Sequence, residues 1–239
     1  MTLFATLFPL ILWFGYNFCS PFLDRFRPSL SSIMSMQRRR WVENAAKRDT
    51  PLDAILSGNI MGSVSFLAST TALLVLAIFT AFGNLSAFKT ALTTAGISVT
   101  YGNADVEIHL LVMLAIFVLS FFAFTLSLRQ FNHFCILLGA LEHDGRTTKE
   151  ELDAIAQLNT LAAKNFNQGL RAYYFAVPMV FWFASEWLGI VAALVTLLFL
   201  VHREYFSSAH RIAASVAVIA RRRELGIGSD PADGAGKPG

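Results

Sequence analysis

This 239-residue chain contains four long apolar runs, which constrain its fold more than any other feature. The runs are Leu3–Leu23, Ile60–Gly83, Ile108–Leu128 and Ala172–Val201. A helix that crosses a bilayer needs roughly 20 apolar residues. Each of the first three runs therefore fits one span, whereas the fourth, with 30 residues, is too long for one span and short for two.

The composition supports burial in lipid over burial in one soluble core. The chain is 55% hydrophobic and only 15% charged, whereas a soluble domain carries roughly 25% charged residues. The formal net charge of +3 comes from basic residues at the edges of the apolar runs, which suits anionic lipid headgroups as partners. We do not expect a nucleic-acid partner, because no basic pattern interleaved with aromatic residues is present.

The basic residues decide how the fourth run is divided. Seven lie between the first and second runs, one (Lys89) between the second and third, five between the third and fourth, and six after the fourth. With four helices, Arg221–Arg223 would lie opposite the first basic loop, against the positive-inside rule. A turn at 184–187 gives five helices and places all 18 basic residues other than Lys89 in the cytoplasm.

The sequence therefore predicts an all-α membrane protein with about five transmembrane helices, and four as the fallback. It lies in the cell (inner) membrane, with the N-terminus outside and the C-terminus in the cytoplasm. Residues 1–225 form a single helical domain, and residues 226–239 form a disordered tail because they include no core-forming residues.

Helices two to four are predicted to extend into the cytoplasm. Thr50 and Pro51 are typical of a helix start ahead of the second span. Thr148 and Glu151 have the spacing of a capping box, so the third and fourth helices form a hairpin that projects by roughly 20–30 Å. Residues 29–47 mix apolar residues with arginines, which is typical of a helix lying in the cytoplasmic interface.

The second helix carries a stripe of small residues at helical spacing. Small residues let helices approach closely in lipid. Two interpretations stay open: packing inside the bundle, or an interface between subunits. The stripe comprises Gly58, Gly62, Ser65 and Ser69, and it continues at Ala72.

Polar residues gather where three helices meet the cytoplasmic boundary. Polar groups near membrane depth rarely face lipid. In one interpretation the cluster is structural, with Asp53 paired to one of the arginines. In the other it is a cytoplasmic site or pore mouth that attracts anions or headgroups. Its members are Asp53 and Asn59 on the second helix, Arg129, Gln130 and Asn132 on the third, and Asn165, Asn167 and Arg171 on the fourth.

Catalysis and metal binding have no support in the sequence. Neither a nucleophile–histidine–acid set nor a phosphate-binding glycine loop is present, and no cofactor is predicted. A haem held by His133 and His202 is a remaining alternative, because both lie at cytoplasmic helix ends.

Three runs carry a resemblance to a known family. They are GNIMGSVSFLAST (58–70), SLRQFNHFCILLGA (127–140) and NFNQGLRAYYFAVPMVFWF (165–183). These runs are similar to the domain-of-unknown-function 599 family of small integral membrane proteins. The resemblance implies a helical membrane protein with no assigned activity, and it directs attention to Arg129, Asn132, Asn165, Asn167 and Arg171.

Two functional hypotheses follow for a non-enzymatic membrane protein that we expect to be oligomeric. In the first, the polar cluster is the anion-attracting mouth of a channel or transporter. In the second, the protein is an accessory or scaffold subunit of a larger membrane complex, and the cluster is purely structural. The expected protein partners are further copies of the chain or other membrane subunits.

Overall fold

The computed structural model describes residues 2–48, 51–97, 100–142 and 146–224. Every regular element within these ranges is an α-helix. Thr50, residues 143–145 of the predicted hairpin turn and the predicted tail lie outside the described residues. The helices are α1 (Thr2–Phe26), α2 (Leu30–Ala45), α3 (Leu52–Gly83), α4 (Leu85–Thr94), α5 (Asn103–Gly139), α6 (Lys149–Trp182), α7 (Glu186–Tyr205) and α8 (Ser208–Glu224).

Four helical segments have the length and composition needed to cross a membrane. They are α1, α3, α5 and the segment Glu186–Arg223, which takes α7 and α8 together. Their outward faces stay apolar: Phe18, Leu73 and Leu198 are each more than 60% exposed. Large exposed apolar side chains over several helices indicate contact with lipid. The protein is therefore an all-α membrane protein, as predicted.

The fourth apolar run contains the predicted helix break. α6 ends at Trp182 and α7 begins at Glu186, with Ser185 in an extended conformation between them. The hydroxyl of Tyr101 accepts a hydrogen bond from the Glu186 backbone N–H at 3.0 Å, which satisfies one of the free donors at the start of α7. The short turn makes α6 and α7 neighbours that run in opposite directions.

The helices α5 and α6 form the central pair of the bundle. Ala162, Gly169 and Ala176 are buried and recur every seven residues along α6, so they share one face. Two buried hydroxyls of α5 bond to carbonyls on this face: Ser127 Oγ donates to Ala162 O at 2.7 Å, and Ser120 Oγ donates to Gly169 O at 2.9 Å. Such contacts require the two backbones to lie close together.

The same pair forms the predicted projecting hairpin. α5 continues past Leu128, the last residue of its apolar run, to Gly139. α6 begins at Lys149 with the expected capping box, in which Thr148 and Glu151 each bond to the other's backbone N–H. We call the end of the bundle that carries this hairpin, α2 and α8 the basic end. The opposite end carries α4 and the turn between α6 and α7.

The small-residue stripe on α3 does not pack inside the protomer. α3 contacts α5 through Ser57, Val64, Thr71 and Ile78, which are buried at intervals of seven. The stripe lies on another side of the helix, and a Cβ added at Gly58 or Gly62 would meet nothing within 4 Å. Packing inside the bundle is therefore wrong for this stripe, and an interface between subunits remains a prediction. Its members Gly58, Gly62, Ser65 and Ser69 are all exposed.

The helix α2 lies along α6 instead of lying flat in the membrane interface. Its start is bonded to Asn167 through Ser31, and its later part pairs with Asp153 through Arg39 at 2.8 Å. Fourteen residues separate Asn167 from Asp153, about 21 Å of α6 at 1.5 Å per residue. α2 therefore follows the hairpin away from the apolar part of the bundle, and the prediction of an in-plane helix is wrong.

The sequence did not predict α4 or α8. α8 packs along α2, where His210 Nε2 lies 3.0 Å from the carbonyl oxygen of Pro28. At the opposite end, α4 contacts the α6–α7 turn through Phe88 and Phe183. Both helices are short and mix small, polar and apolar residues, so neither forms an apolar run.

Two glycine substitutions test this packing. A Cβ at Gly169 would lie 2.7 Å from Cε1 of the Phe124 ring, whereas one at Gly62 would lie in open space. We expect Gly169→Leu to destabilise the protein by roughly 1–3 kcal/mol through overpacking. Gly62→Leu should leave the protomer's thermal unfolding unchanged in detergent. Equal unfolding temperatures for the two variants would contradict the assignment of α6 as the closely packed helix.

Candidate functional site

The central feature of the basic end is one polar side of α6. Asn167, Arg171 and Tyr174 follow at steps of four and three residues, so they share a helical face as the sequence predicts. Each bonds to a different neighbour: Asn167 to α2, Arg171 to α1 and Tyr174 to α7. We call these three residues the α6 polar face.

Arg171 is held by uncharged groups. Its Nη1 donates to Asn17 Oδ1 at 3.2 Å, and its guanidinium carbon lies 4.8 Å from the centre of the Tyr16 ring. Asn17 is itself fixed, because its Nδ2 donates to the Trp13 carbonyl at 3.0 Å. A cation over an aromatic face is stabilised by the ring quadrupole. Within the described residues Arg171 forms no ion pair.

A second arginine repeats this arrangement one helix away. Nη1 of Arg203 on α7 donates to the Tyr174 hydroxyl at 2.7 Å, and its guanidinium carbon lies 5.5 Å from the centre of the same ring. No carboxylate of the described chain pairs with Arg203. The α6 polar face thus includes one arginine, Arg171, and binds a second, Arg203, and both contact aromatic rings and uncharged oxygens instead of a carboxylate.

Two carboxylates on α1 and α7 bond to the start of α2 instead of to these arginines. Glu204 Oε1 accepts from the Ser31 N–H at 3.1 Å, and Asp24 accepts from the N–H and hydroxyl of Ser29. Negative charge at a helix N-terminus is stabilising. Asn167 Nδ2 completes the link by donating to Ser31 Oγ at 3.1 Å. The start of α2 is therefore fixed to α1, α6 and α7 at once.

Asp53 does not pair with Arg171 or Arg129. Asp53 Oδ1 accepts from Trp41 Nε1 at 2.6 Å and from Arg48 Nη2 at 2.8 Å. These bonds join the start of α3 to α2, and α3 packs on α5 rather than on α6. Asp53 therefore takes a sequence-local partner, five residues before it, and the expected pairing with an arginine of the cluster is wrong.

The remaining predicted cluster residues do not share one site. Gln130 and Asn165 do meet: Asn165 Nδ2 donates to Gln130 Oε1 at 2.7 Å and joins α5 to α6. By contrast, Asn59, Arg129 and Asn132 are exposed. Five of the eight residues thus form separate contacts between pairs of helices, and the other three are exposed.

Several residues of this region were not predicted from the sequence. They lie on α1, α2 and α7, which the prediction of three converging helix ends left out. Asn17 was detectable as an amide inside an apolar run, and Glu204 as an acid directly after two basic residues. The missed residues are Tyr16, Asn17, Asp24, Ser31, Arg203 and Glu204.

The described residues do not group into a metal or haem site. No set of three His, Cys, Asp or Glu side chains within them could hold a metal ion. His133 and His202 are exposed, on α5 and α7, which both pack extensively on α6 and have no extensive contact with one another. The structure thus does not bring together the two histidines of the haem alternative.

Positive charge dominates the basic end at neutral pH. Burial lowers the pKa of Arg38 from its ordinary value, but a guanidinium stays protonated throughout the physiological range. Arg39 is paired with both Glu43 and Asp153. Binding of anions at this end is therefore favoured by charges that do not titrate near neutrality.

Comparison with known proteins supplies a family for this fold and site. The family described as "Protein of unknown function, DUF599" matches residues 4–209. The chain belongs to this family. No curated protein and no solved structure matches it. The match runs from the first turn of α1 to the end of α7 and thus includes the whole α6 polar face of this DUF599 protein.

A double-mutant cycle tests the assignment of Arg171. We expect Arg171→Gln and Asn17→Ala to be coupled by roughly 0.5–3 kcal/mol, because each removes the same contact. Arg171→Gln and Asp53→Asn should be additive within about 0.5 kcal/mol. Chemical unfolding in detergent measures both cycles. Rescue of Arg171→Gln by Asp53→Asn would show that these two residues pair after all.

Proposed function

We propose that this DUF599 protein is a non-catalytic accessory or scaffold subunit of a membrane complex. The observation that carries the proposal is the use of its boundary polar groups. Asn165, Asn167 and Arg171 each bond to a different neighbouring helix, and Asp53 joins α2 to α3. Polar groups used in this way hold helices together and leave few free for a substrate.

The orientation that we propose places the basic end in the cytoplasm. The turn between α6 and α7 reverses the chain, so Arg221–Arg223 lie at the same end as α2. This arrangement supports five spans, in which α6 is added to the four segments that have the length and composition to cross a membrane, and an outside N-terminus. Lys89, the exception, is at the opposite end, where its Nζ donates to Tyr101 O and Asn103 Oδ1.

Reporter fusions test this orientation. A reporter after Arg223 should be active only as a cytoplasmic reporter, because α8 belongs to the basic end. A reporter inserted after Thr94, at the end of α4, should show the opposite behaviour. The same location for both reporters would rule out five spans.

A docking face for another subunit is available on α8. Ile212, Val216 and Ile219 recur at steps of four and three residues and are each about half exposed or more. If α8 is cytoplasmic, this apolar face has no lipid to cover it. An uncovered apolar stripe on a helix outside the bilayer favours contact with another protein.

Native gels of mildly solubilised membranes test the scaffold role. We expect wild-type protein to migrate in a complex with different subunits, and Val216→Asp to release it from that complex. Ser215→Asp is the matched control, since Ser215 directly precedes Val216 on the same helix and is also exposed. A wild-type protein that migrates only as itself would contradict the proposal.

One observation favours the second candidate, an anion-attracting channel or transporter mouth. Arg171 and Arg203 contact aromatic rings and uncharged oxygens, and neither forms an ion pair within the described chain. Two such cations beside one helix would attract an anion from the cytoplasm. In purified liposomes this candidate predicts anion flux that falls in Arg171→Gln, whereas the scaffold proposal predicts no flux from the wild type.

A further inference from the structure

A groove between α2 and α8 has the dimensions of a small-molecule site. It encloses about 610 Å³, within the range of roughly 300–1,000 Å³ that ligand pockets occupy. Its floor is apolar: Ile33 and Met36 of α2 lie along one side, and Ala217 and Val218 of α8 along the other. An apolar floor of this kind suits a hydrocarbon chain.

The end of the groove that lies away from Pro28 is cationic. Arg39, Arg40 and Arg221 lie there together with a single acid, Glu43. Glu43 and Asp153 both pair with Arg39, so the acids near this end are already engaged with that arginine. Arg221 forms no hydrogen bond or ion pair within the described chain, and its guanidinium is available to an added anion.

A further polar group of the groove is without a partner. The Nε2 of Gln37 is buried, and no acceptor of the described chain reaches it. A buried amide donor that lacks a partner costs roughly 1–3 kcal/mol. An anionic oxygen in the groove would satisfy this donor together with the nearby arginines.

We propose that the α2–α8 groove binds an anionic amphiphile, a single acyl chain that ends in a carboxylate or phosphate. The chain lies on the apolar floor, and the head group accepts hydrogen bonds from Arg221 and Gln37. From Pro28 at the near end to Arg40, α2 rises about 18 Å at 1.5 Å per residue. This length accommodates an extended acyl chain, with its tail toward α1 and its head away from the bundle.

The groove suits an acyl chain better than a protein helix. A docked helix is about 10 Å wide with its side chains, whereas α2 and α8 already pack on one another along this groove. Charge complementarity selects the head group: the rim holds three arginines and one glutamate, so a neutral or cationic head group would gain nothing there.

Photo-crosslinking of the full chain in phosphatidylcholine nanodiscs tests the proposal. The probe is palmitate with a diazirine on its chain, and the matched probe is the corresponding alcohol. We expect palmitate to label peptides of α2 and α8, and the alcohol to label them roughly tenfold less, because it lacks the charge-assisted hydrogen bonds. Equal labelling by the acid and the alcohol would overturn the proposal.

Paired variants separate the groove from general partitioning into lipid. Arg221→Gln should reduce labelling roughly tenfold, whereas Arg222→Gln, the same change on a residue outside the groove, should not. Ala217→Phe, which fills the floor, should abolish labelling, and Ser215→Phe should preserve it. Equal effects within either pair would contradict the site.

Repeating the experiment in phosphatidylglycerol nanodiscs distinguishes two sources of the ligand. If bilayer lipids supply the anionic amphiphile, phosphatidylglycerol should compete with palmitate and reduce labelling. If the ligand is a free acyl acid or acyl phosphate, labelling should be the same in both lipids. Labelling that is spread evenly over α1, α3 and α7 in both lipids would show partitioning alone and overturn the proposal.

Discussion

The close contact between α5 and α6 is the interaction on which the rest of the structure depends. Two α5 hydroxyls bond to α6 carbonyls, and the ring of Phe124 covers Gly169 where any side chain would collide. Within lipid the hydrophobic effect does not drive apolar helices together. Close backbone approach and interhelical hydrogen bonds must therefore supply the attraction. Because both helices are continuous from the apolar region to the hairpin, this one contact also determines where the basic end lies.

Three of the other helices are attached to α6 by polar contacts in addition to apolar packing. Arg171 binds α1, Asn167 binds α2 and Tyr174 binds α7, all from one side of α6. Because each of these residues bonds to a different helix, the polar residues at the boundary need not form one binding site. It also leaves two surfaces without a role in the fold: the apolar face of α8 and the groove between α2 and α8. The basic end is thus held together by contacts between helices, and this is the observation behind the scaffold proposal.

Much of the architecture could be predicted from the sequence, because lipid imposes length and charge rules that act on each segment separately. The apolar runs gave the long helices, the distribution of arginines located the turn before Glu186, and Thr148 with Glu151 gave the start of α6. The partners of polar residues could not be predicted in the same way. The depth of a residue in the membrane does not determine which side of its helix faces which neighbour. The sequence therefore favours pairing of Asp53 with an arginine of the cluster, whereas Asp53 pairs with Arg48, five residues before it. The small residues of α3 were equally ambiguous, since the seven-residue spacing of Ser57 and Val64 selects a different face.

Cysteine crosslinking between α2 and α6 in native membranes tests the central claim that polar contacts hold the outer helices along the hairpin. Met36 and Leu161 are both exposed and line one groove between these helices. With Cys19 and Cys135 replaced by alanine, Met36→Cys and Leu161→Cys should be joined within one chain by a short bis-maleimide. An α2 that lies flat on the membrane would leave both thiols reactive but uncrosslinked, and that result would contradict this account.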